Sequence, residues 1–168
     1  KLFAEKQKIW SDGRIALAGA KKITPDQAYI IASIVEEETN ADDEKGNIAS
    51  VYLNRYKAGM KLQADPTVKY ALNDFGLRRI YEKHLTINSP YNTYRYSGLP
   101  PGPICTPQLK TIDAVLNAPD TRFMYFVADS SFSGRHIFSE TYDQHLKHAR
   151  AFQEALNKQQ QKNKPAGD

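Results

Sequence analysis

The stretch Tyr29-Ile-Ile-Ala-Ser-Ile-Val-Glu-Glu-Glu-Thr39 constrains this chain more than any other, because an apolar helical run ends there in three successive carboxylates. With residues about 100° apart around a helix, Ile30, Ile31, Ile34 and Val35 form one apolar stripe. Taking Ile34 as zero, the stripe centres near about 30°, and Glu38 falls inside it at about 40°. Glu37 lies roughly 90° to one side, and Glu36 about 170° away on the face expected to be wet. One glutamate therefore continues the core-facing row. A carboxylate in that row is either paired with a cation or held back from ionising by poor solvation, and in the second state it can donate a proton near neutral pH. The competing reading is a solvated helix end, although carboxylates at a helix C-terminus face the negative end of the dipole.

The signals around this run predict a helical protein. Thr24-Pro25-Asp26-Gln27 combines an N-cap, a proline at the first helical position and a glutamine placed to close a capping box, so the helix should run from there to about Thr39. A second helix is expected from Ala41 or Asp42 to Ala58, with Gly59 as its stop. Ile48, Val51, Tyr52 and Tyr56 share one of its faces with Arg55, which is expected either to pair with an acid of the first helix or to snorkel to solvent. The two helices would form a hairpin with Glu38 near the bend. Before them, residues 11–20 read as a helix in an N-terminal arm.

After Gly59 a loop leads into a short third helix, with Asp65 as its cap, Pro66 at its first position and an end near Asn73. Residues 74–89 have no clear period. Thr106-Pro107 should open a helix reaching about Ala118, with Ile112, Val115 and Leu116 inward. Residues 123–128 and 135–139 read as a strand hairpin around a polar turn, and a last helix should run from Thr141 to Asn157. The fold class expected is α+β, mainly α, with a small β-hairpin. It is read as a single domain with an arm at 1–22, a globular core at 23–157 and a frayed tail at 158–168.

Composition narrows the function classes. A chain of 168 residues with 40% hydrophobic and 25% charged residues suits one soluble domain. No apolar run approaches the ~20 residues of a membrane span. It opens at Lys1 without a methionine and is read as an excised piece of a longer protein. The 23 Lys and Arg against 19 Asp and Glu give a net charge of +4. Their scatter argues against a nucleic-acid patch, and the mild positive balance suits an anionic polymer or a membrane surface. Cys105 is alone, which excludes an internal disulfide. His84, His136, His145 and His148 lack cysteine partners, so no metal site and no cofactor is predicted. His145 and His148 are expected on an exposed helix face.

Between the helices lies Pro90-Tyr-Asn-Thr-Tyr-Arg-Tyr-Ser-Gly-Leu-Pro-Pro-Gly-Pro103, too rich in Pro and Gly for a regular element. Such a loop is either a scaffolding turn or a binding wall. Tyrosine faces beside amide and backbone groups suit sugar rings, whose C–H faces are apolar and whose rims are hydroxyl.

In this order, the motifs resemble the catalytic domain of the endolytic murein transglycosylases, the YceG-like family. Four blocks carry the resemblance: Ala32-Ser-Ile-Val-Glu-Glu-Glu-Thr39; Ile48-Ala-Ser-Val-Tyr-Leu-Asn-Arg55 with Gly59-Met-Lys-Leu-Gln-Ala-Asp-Pro-Thr-Val68; Tyr91-Asn-Thr-Tyr94 with Gly98-Leu-Pro-Pro-Gly-Pro-Ile104; and Tyr125-Phe-Val-Ala-Asp129 with His136-Ile-Phe138. Pro103, Cys105 and residues 73–89 fall outside the pattern. The blocks are also similar to lysozyme-like transglycosylases, in which a catalytic Glu precedes Ser or Thr, a loop carries Gln, and a Tyr-Asn pair follows. Here these are Glu38-Thr39, Leu62-Gln63 and Tyr91-Asn92.

The resemblance implies a lysozyme-like helical core and non-hydrolytic cleavage of the β-1,4 bond between N-acetylmuramic acid and N-acetylglucosamine. It makes Glu38 the catalytic residue, the same glutamate that the helical face selects. It implies glycan contacts from Thr39, Gln63 and Asp65, with Asp65 also able to serve as a cap. It adds Tyr91, Asn92, Thr93 and Tyr94, then Gly98, Leu99, Pro100, Pro101 and Ile104. Peptidoglycan strands and cell-wall synthases are the implied partners of a monomer. The implied location is the periplasmic face of the inner membrane, through an anchor outside this piece. A non-catalytic peptidoglycan-binding module and a lysozyme-type hydrolase with a second carboxylate stay open as alternatives.

Overall fold

The computed structural model describes residues 8–163. Helix α1, Asp12–Ala20, starts at Ser11, whose hydroxyl accepts from the Arg14 amide. The segment expected as an arm docks on the core. Ala18 is fully buried, Ile9 and Trp10 pack against the same cluster, and Arg14 Nε donates to Asp113 at 2.8 Å.

Helix α2, Pro25–Glu38, carries the predicted capping box: the Thr24 hydroxyl accepts from Gln27 N, and the Gln27 side chain accepts from Thr24 N. It is the central helix. Ala28, Ile31, Ala32, Ile34 and Val35 have no exposed surface, while Ile30 is only half-buried. Burying each large aliphatic side chain contributes about 1.5–3 kcal/mol. Ser33, also buried, donates to Ile30 O at 2.6 Å and accepts from Ile104 N at 3.1 Å, joining α2 to the proline-rich loop.

A 3₁₀ turn, Asp42–Glu44, precedes helix α3, Lys45–Lys57, so the acids read as the first helical turn form this tighter piece instead. Gly59 ends α3 as predicted. At φ +70° it lets its own N–H reach Tyr56 O while Met60 N reaches Arg55 O, the two bonds of a Schellman cap. α2 and α3 form the expected hairpin, with Glu38 at its bend.

The remaining elements close around this pair. Helix α4 is Asp65–Ala71, and α5 is Glu82–Leu85 within the aperiodic stretch. Ala64, not Asp65, is the N-cap of α4, and its methyl group can make no cap bond; Asp65 is the first helical residue, and its carboxylate accepts from the Tyr94 hydroxyl. Residues 90–103 form neither helix nor strand. Helix α6, Leu109–Leu116, begins later than Thr106-Pro107 suggested, and Gln108 at its N-cap reaches across to Glu36 instead of capping. Ile112, Val115 and Leu116 are buried as expected.

Strands β1, Tyr125–Ala128, and β2, His136–Ser139, pair antiparallel with Tyr125 opposite Ser139 and Ala128 opposite His136. Helix α7, Tyr142–Lys162, is capped by Thr141 and Gln144 and packs on both strands. It runs past Asn157, which corrects the frayed reading of 158–162; Lys and Gln are good helix formers and carry the helix on. The rest of that tail, 164–168, lies outside the described residues. The protein is thus mainly α, with one two-stranded sheet among the described residues. Among them no helix is long and apolar enough to cross a membrane.

Candidate active site

Glu38 is the last residue of α2, and its carboxyl enters a pocket of about 200 Å³. Tyr52, nearly fully buried on α3, donates its hydroxyl to Glu38 Oε1. Burial pushes the Glu38 pKa up to about 7; the Tyr52 hydrogen bond opposes this, the charge of Asp65 adds to it, and Lys69 counters it weakly. Loss of hydration outweighs one hydrogen bond, so this carboxyl holds its proton well above the usual carboxylate range. Burial and the neighbouring Glu38 hold Tyr52 as the phenol, which donates to the Glu38 carboxylate.

The other two glutamates sort differently. Glu37, which the helical wheel set about 90° to one side of the stripe, is exposed. Glu36 is not on a wet face. Its carboxylate accepts from the Thr111 hydroxyl and from Gln108 N and Nε2, and lies 3.8 Å from the buried Lys45 ammonium. Burial acts against its charge, but Thr111, Gln108 and Lys45 together hold its carboxyl below the usual carboxylate range. Helix α6 covers the side of α2 that a lone amphipathic helix would turn to water.

Arg55 departs from both readings offered for it. Its guanidinium is buried and donates to three carbonyls, Met124 O at 2.6 Å, Leu62 O at 3.2 Å and Lys61 O at 3.3 Å, and it lies over the Tyr125 ring at 5.0 Å. It clamps the strand hairpin and the 61–62 loop to α3. Leu62 is anchored beneath the pocket, and Gln63 follows at φ +49°, in the left-handed region that a residue with a side chain rarely adopts. That turn leaves Gln63 exposed at the pocket mouth, with its N–H on Thr93 O.

Of the residues implied by resemblance, Glu38, Gln63, Asp65 and Tyr94 meet in this pocket. The Tyr94 hydroxyl donates to Asp65, and burial with Asp65 keeps that phenol protonated. Thr39 lies next door, in a second hollow that shares Glu38; its hydroxyl accepts from Ala41 N at 3.0 Å.

The others stand behind the wall. Asn92 is fully buried: its amide donates to Leu85 O and Ile87 O, and its carbonyl accepts from Tyr94 N. It shapes the turn that presents Tyr94 and has no donor left for a ligand. Thr93, also buried, accepts from Ala64 N and bonds the Thr67 hydroxyl, fixing the start of α4. Tyr91 packs on Tyr70, with ring centroids 4.6 Å apart.

Gly98, Leu99, Pro100, Pro101 and Ile104 line neither hollow. Gly98 turns the chain at φ +83°, Leu99 packs on the core, Pro100 and Ile104 are buried, and Pro101 is exposed. These positions of the proline-rich loop stand outside both hollows. The Cys105 thiol donates to Ser33 O beside it, and burial with Glu37 and Glu36 pushes its pKa up to about 12.

His145 was missed. Assigned from sequence to an exposed helix face, it lines the Glu38 pocket from α7 and stacks on Tyr125 at 5.1 Å. Burial, then Arg55 and His148, lower its pKa and keep the ring neutral. Phe126 completes the wall, edge-on to Tyr52 at 5.8 Å. Nothing in the helical pattern of α7 could mark His145, because the pocket is made by docking α7 on the hairpin. Among the described residues no group of three or more His, Cys, Asp and Glu side chains is placed to hold a metal ion.

A mainly helical domain built around one acid in a polar cleft, its pKa raised by burial, has the equipment of an acid catalyst. The chain belongs to the YceG-like family, whose sequence profile matches residues 1–151. It is 40% identical over 126 residues to an endolytic murein transglycosylase of Bacillus subtilis (strain 168), covering 75% of this chain and 34% of that protein. It is 32% identical over 130 residues to an endolytic murein transglycosylase of Streptococcus pneumoniae serotype 2, covering 75% of this chain and 23% of that one. The chain therefore spans about a third or less of the length of these relatives. The crystal structure of a YceG-like protein from Listeria monocytogenes superposes with a TM-score of 0.72 at 36% identity, over 79% of this chain and 42% of that one.

Proposed function

We propose that this chain is the glycan-cleaving domain of an endolytic murein transglycosylase. The observation that carries the reading is the Glu38 carboxyl, buried in a polar cleft, bonded to Tyr52 and pushed to a pKa of about 7. One such group can serve twice. As the acid, Glu38 gives its proton to the glycosidic oxygen as the bond from that oxygen to muramyl C1 breaks. As the carboxylate, it takes the proton of the muramyl 6-hydroxyl while that oxygen bonds to C1, closing a 1,6-anhydro ring without water. The proton on Glu38 is restored. The sugar's 2-acetamido group assists by stabilising positive charge at C1.

Gln63, Asp65 and Tyr94 hold the glycan at the pocket mouth, and Thr39 meets it beyond Glu38. Trimming or ending nascent glycan strands, at the periplasmic face of the inner membrane and beside cell-wall synthases, is the setting this activity fits. The domain acts as a monomer with no cofactor. A lysozyme-like core is part of the same reading.

A second reading has one specific observation in its favour. Asp65 lines the same pocket, and its charge is felt by Glu38. Hydrolysis by a carboxylate pair would use it as the second group. Mass spectrometry of products from purified sacculi decides between them. Anhydro-muropeptides, lighter by one water than hydrolytic products, are expected, and reducing ends would overturn the assignment. A Glu38→Gln variant that released product at the parent rate would leave only a glycan-binding module.

A further inference from the structure

Glu38 is shared by two hollows. The second, of about 300 Å³, has no other residue in common with the first and is walled by Glu37, Thr39, Gly134 and His136 among others. His136 opens β2 and is held in an unusual way. Glu44, buried on the 3₁₀ turn, accepts from His136 N through Oε1 at 2.9 Å and meets His136 Nδ1 through Oε2 at 3.0 Å. The ring also stands edge-on to Phe126 at 5.4 Å.

A carboxylate can only accept, so it fixes the hydrogen of the neutral imidazole on Nδ1 and leaves Nε2 as a lone-pair acceptor. Nε2 makes no hydrogen bond among the described residues and is not among their sealed polar atoms. The His136 ring lines the hollow. A fixed acceptor discriminates most against partners that can only accept, and binds best one that can only donate. A hydroxyl serves either tautomer, but an amide N–H needs this one.

Resting on the function argued above, we propose that this hollow is a second sugar subsite, in which His136 Nε2 accepts from the acetamido N–H of an N-acetylated sugar. Cleavage within a strand requires sugars on both sides of the bond, with the proton donor between them. Glu38 occupies that position between the two hollows. Glu44 is then a positioning residue that acts through His136.

The Glu44→Gln variant tests this with little change of shape. The His136 backbone N–H still needs an acceptor, so the amide oxygen of Gln takes that place and its NH₂ faces Nδ1. The imidazole hydrogen moves to Nε2, turning the acceptor into a donor. Affinity for purified peptidoglycan glycans is measured in the Glu38→Gln background, which binds without cutting, and nitrogen NMR at about pH 8 reads the tautomer of the neutral ring. The expected result is an Nδ1–H ring in the parent, an Nε2–H ring in Glu44→Gln, and glycan affinity about five- to tenfold weaker at an unchanged melting temperature.

His136→Phe, which keeps the ring and removes the acceptor, should lose the same factor. If it does not fold, Glu44→Gln alone decides. A flipped ring with undiminished affinity overturns the proposal, as does a parent ring that carries its hydrogen on Nε2. If the parent protein releases no anhydro product and binds no glycan, the function itself fails. If it cleaves normally while these variants bind like the parent, only the subsite is wrong.

Discussion

Glu36 and Glu38 leave one helix two residues apart and end in opposite states. Around Glu36, helix α6 and Lys45 supply a hydroxyl, two amide donors and a cation, and the carboxylate is stabilised as the anion. Around Glu38 the pocket supplies one phenol, an aromatic wall and a neighbouring acid, and the proton is retained to about pH 7. Both are partly buried. Two things separate the structural carboxylate from the candidate catalyst: Glu38 loses more of its hydration, and Glu36 meets donors and a cation that overcome the loss.

The largest test of this contrast is rate. Glu38→Gln should lower turnover of sacculi by about 10²–10⁴-fold, whereas Glu36→Gln should keep it within about tenfold. Equal losses for the two would break the comparison.

Stability should reverse the order. Glu36→Gln removes the anion facing Thr111 and the buried Lys45, and should cost about 1–3 kcal/mol in urea unfolding. Glu38 behaves oppositely, because its folded pKa of about 7 lies above the ordinary 4.5. The folded state holds that proton more tightly, so the native protein loses stability as pH rises from about 4.5 to 7 and stays at the lower level above. Glu38→Gln should therefore stabilise by on the order of 2 kcal/mol at about pH 8 and give no gain at about pH 4. A gain at acid pH would contradict the burial argument.

The smallest effect sharpens the account of the pocket. Tyr52→Phe removes the bond that favours the Glu38 anion, so the alkaline limb of the pH–rate profile should move upward, with kcat changed by less than about tenfold. A downward move would mean that Tyr52 stabilises the protonated form.

Much of this was legible before folding, and the reasons are local. Thr24, Pro25 and Gln27 start α2 through hydrogen bonds within one turn, and Gly59 ends α3 because it tolerates the left-handed turn. Glu38 could be picked out because apolar residues three and four positions before it share its side of the helix. Misreadings arose wherever a distant element supplied the partner. Glu36 was placed on a wet face that α6 covers, Arg55 was offered an acid where it found three carbonyls, and Asn92 was given to a ligand that buried backbone groups displace.

From the residues alone came the helical hairpin, its caps and the singled-out glutamate, since spacing along one chain decides which side chains share a face. Only the tertiary structure could bring His145 from α7 and His136 from β2 to either flank of that glutamate. It also set how many donors each carboxylate meets. Hydration and hydrogen bonding depend on what is packed nearby in space, and that is decided when the hairpin, α6 and α7 close on one another.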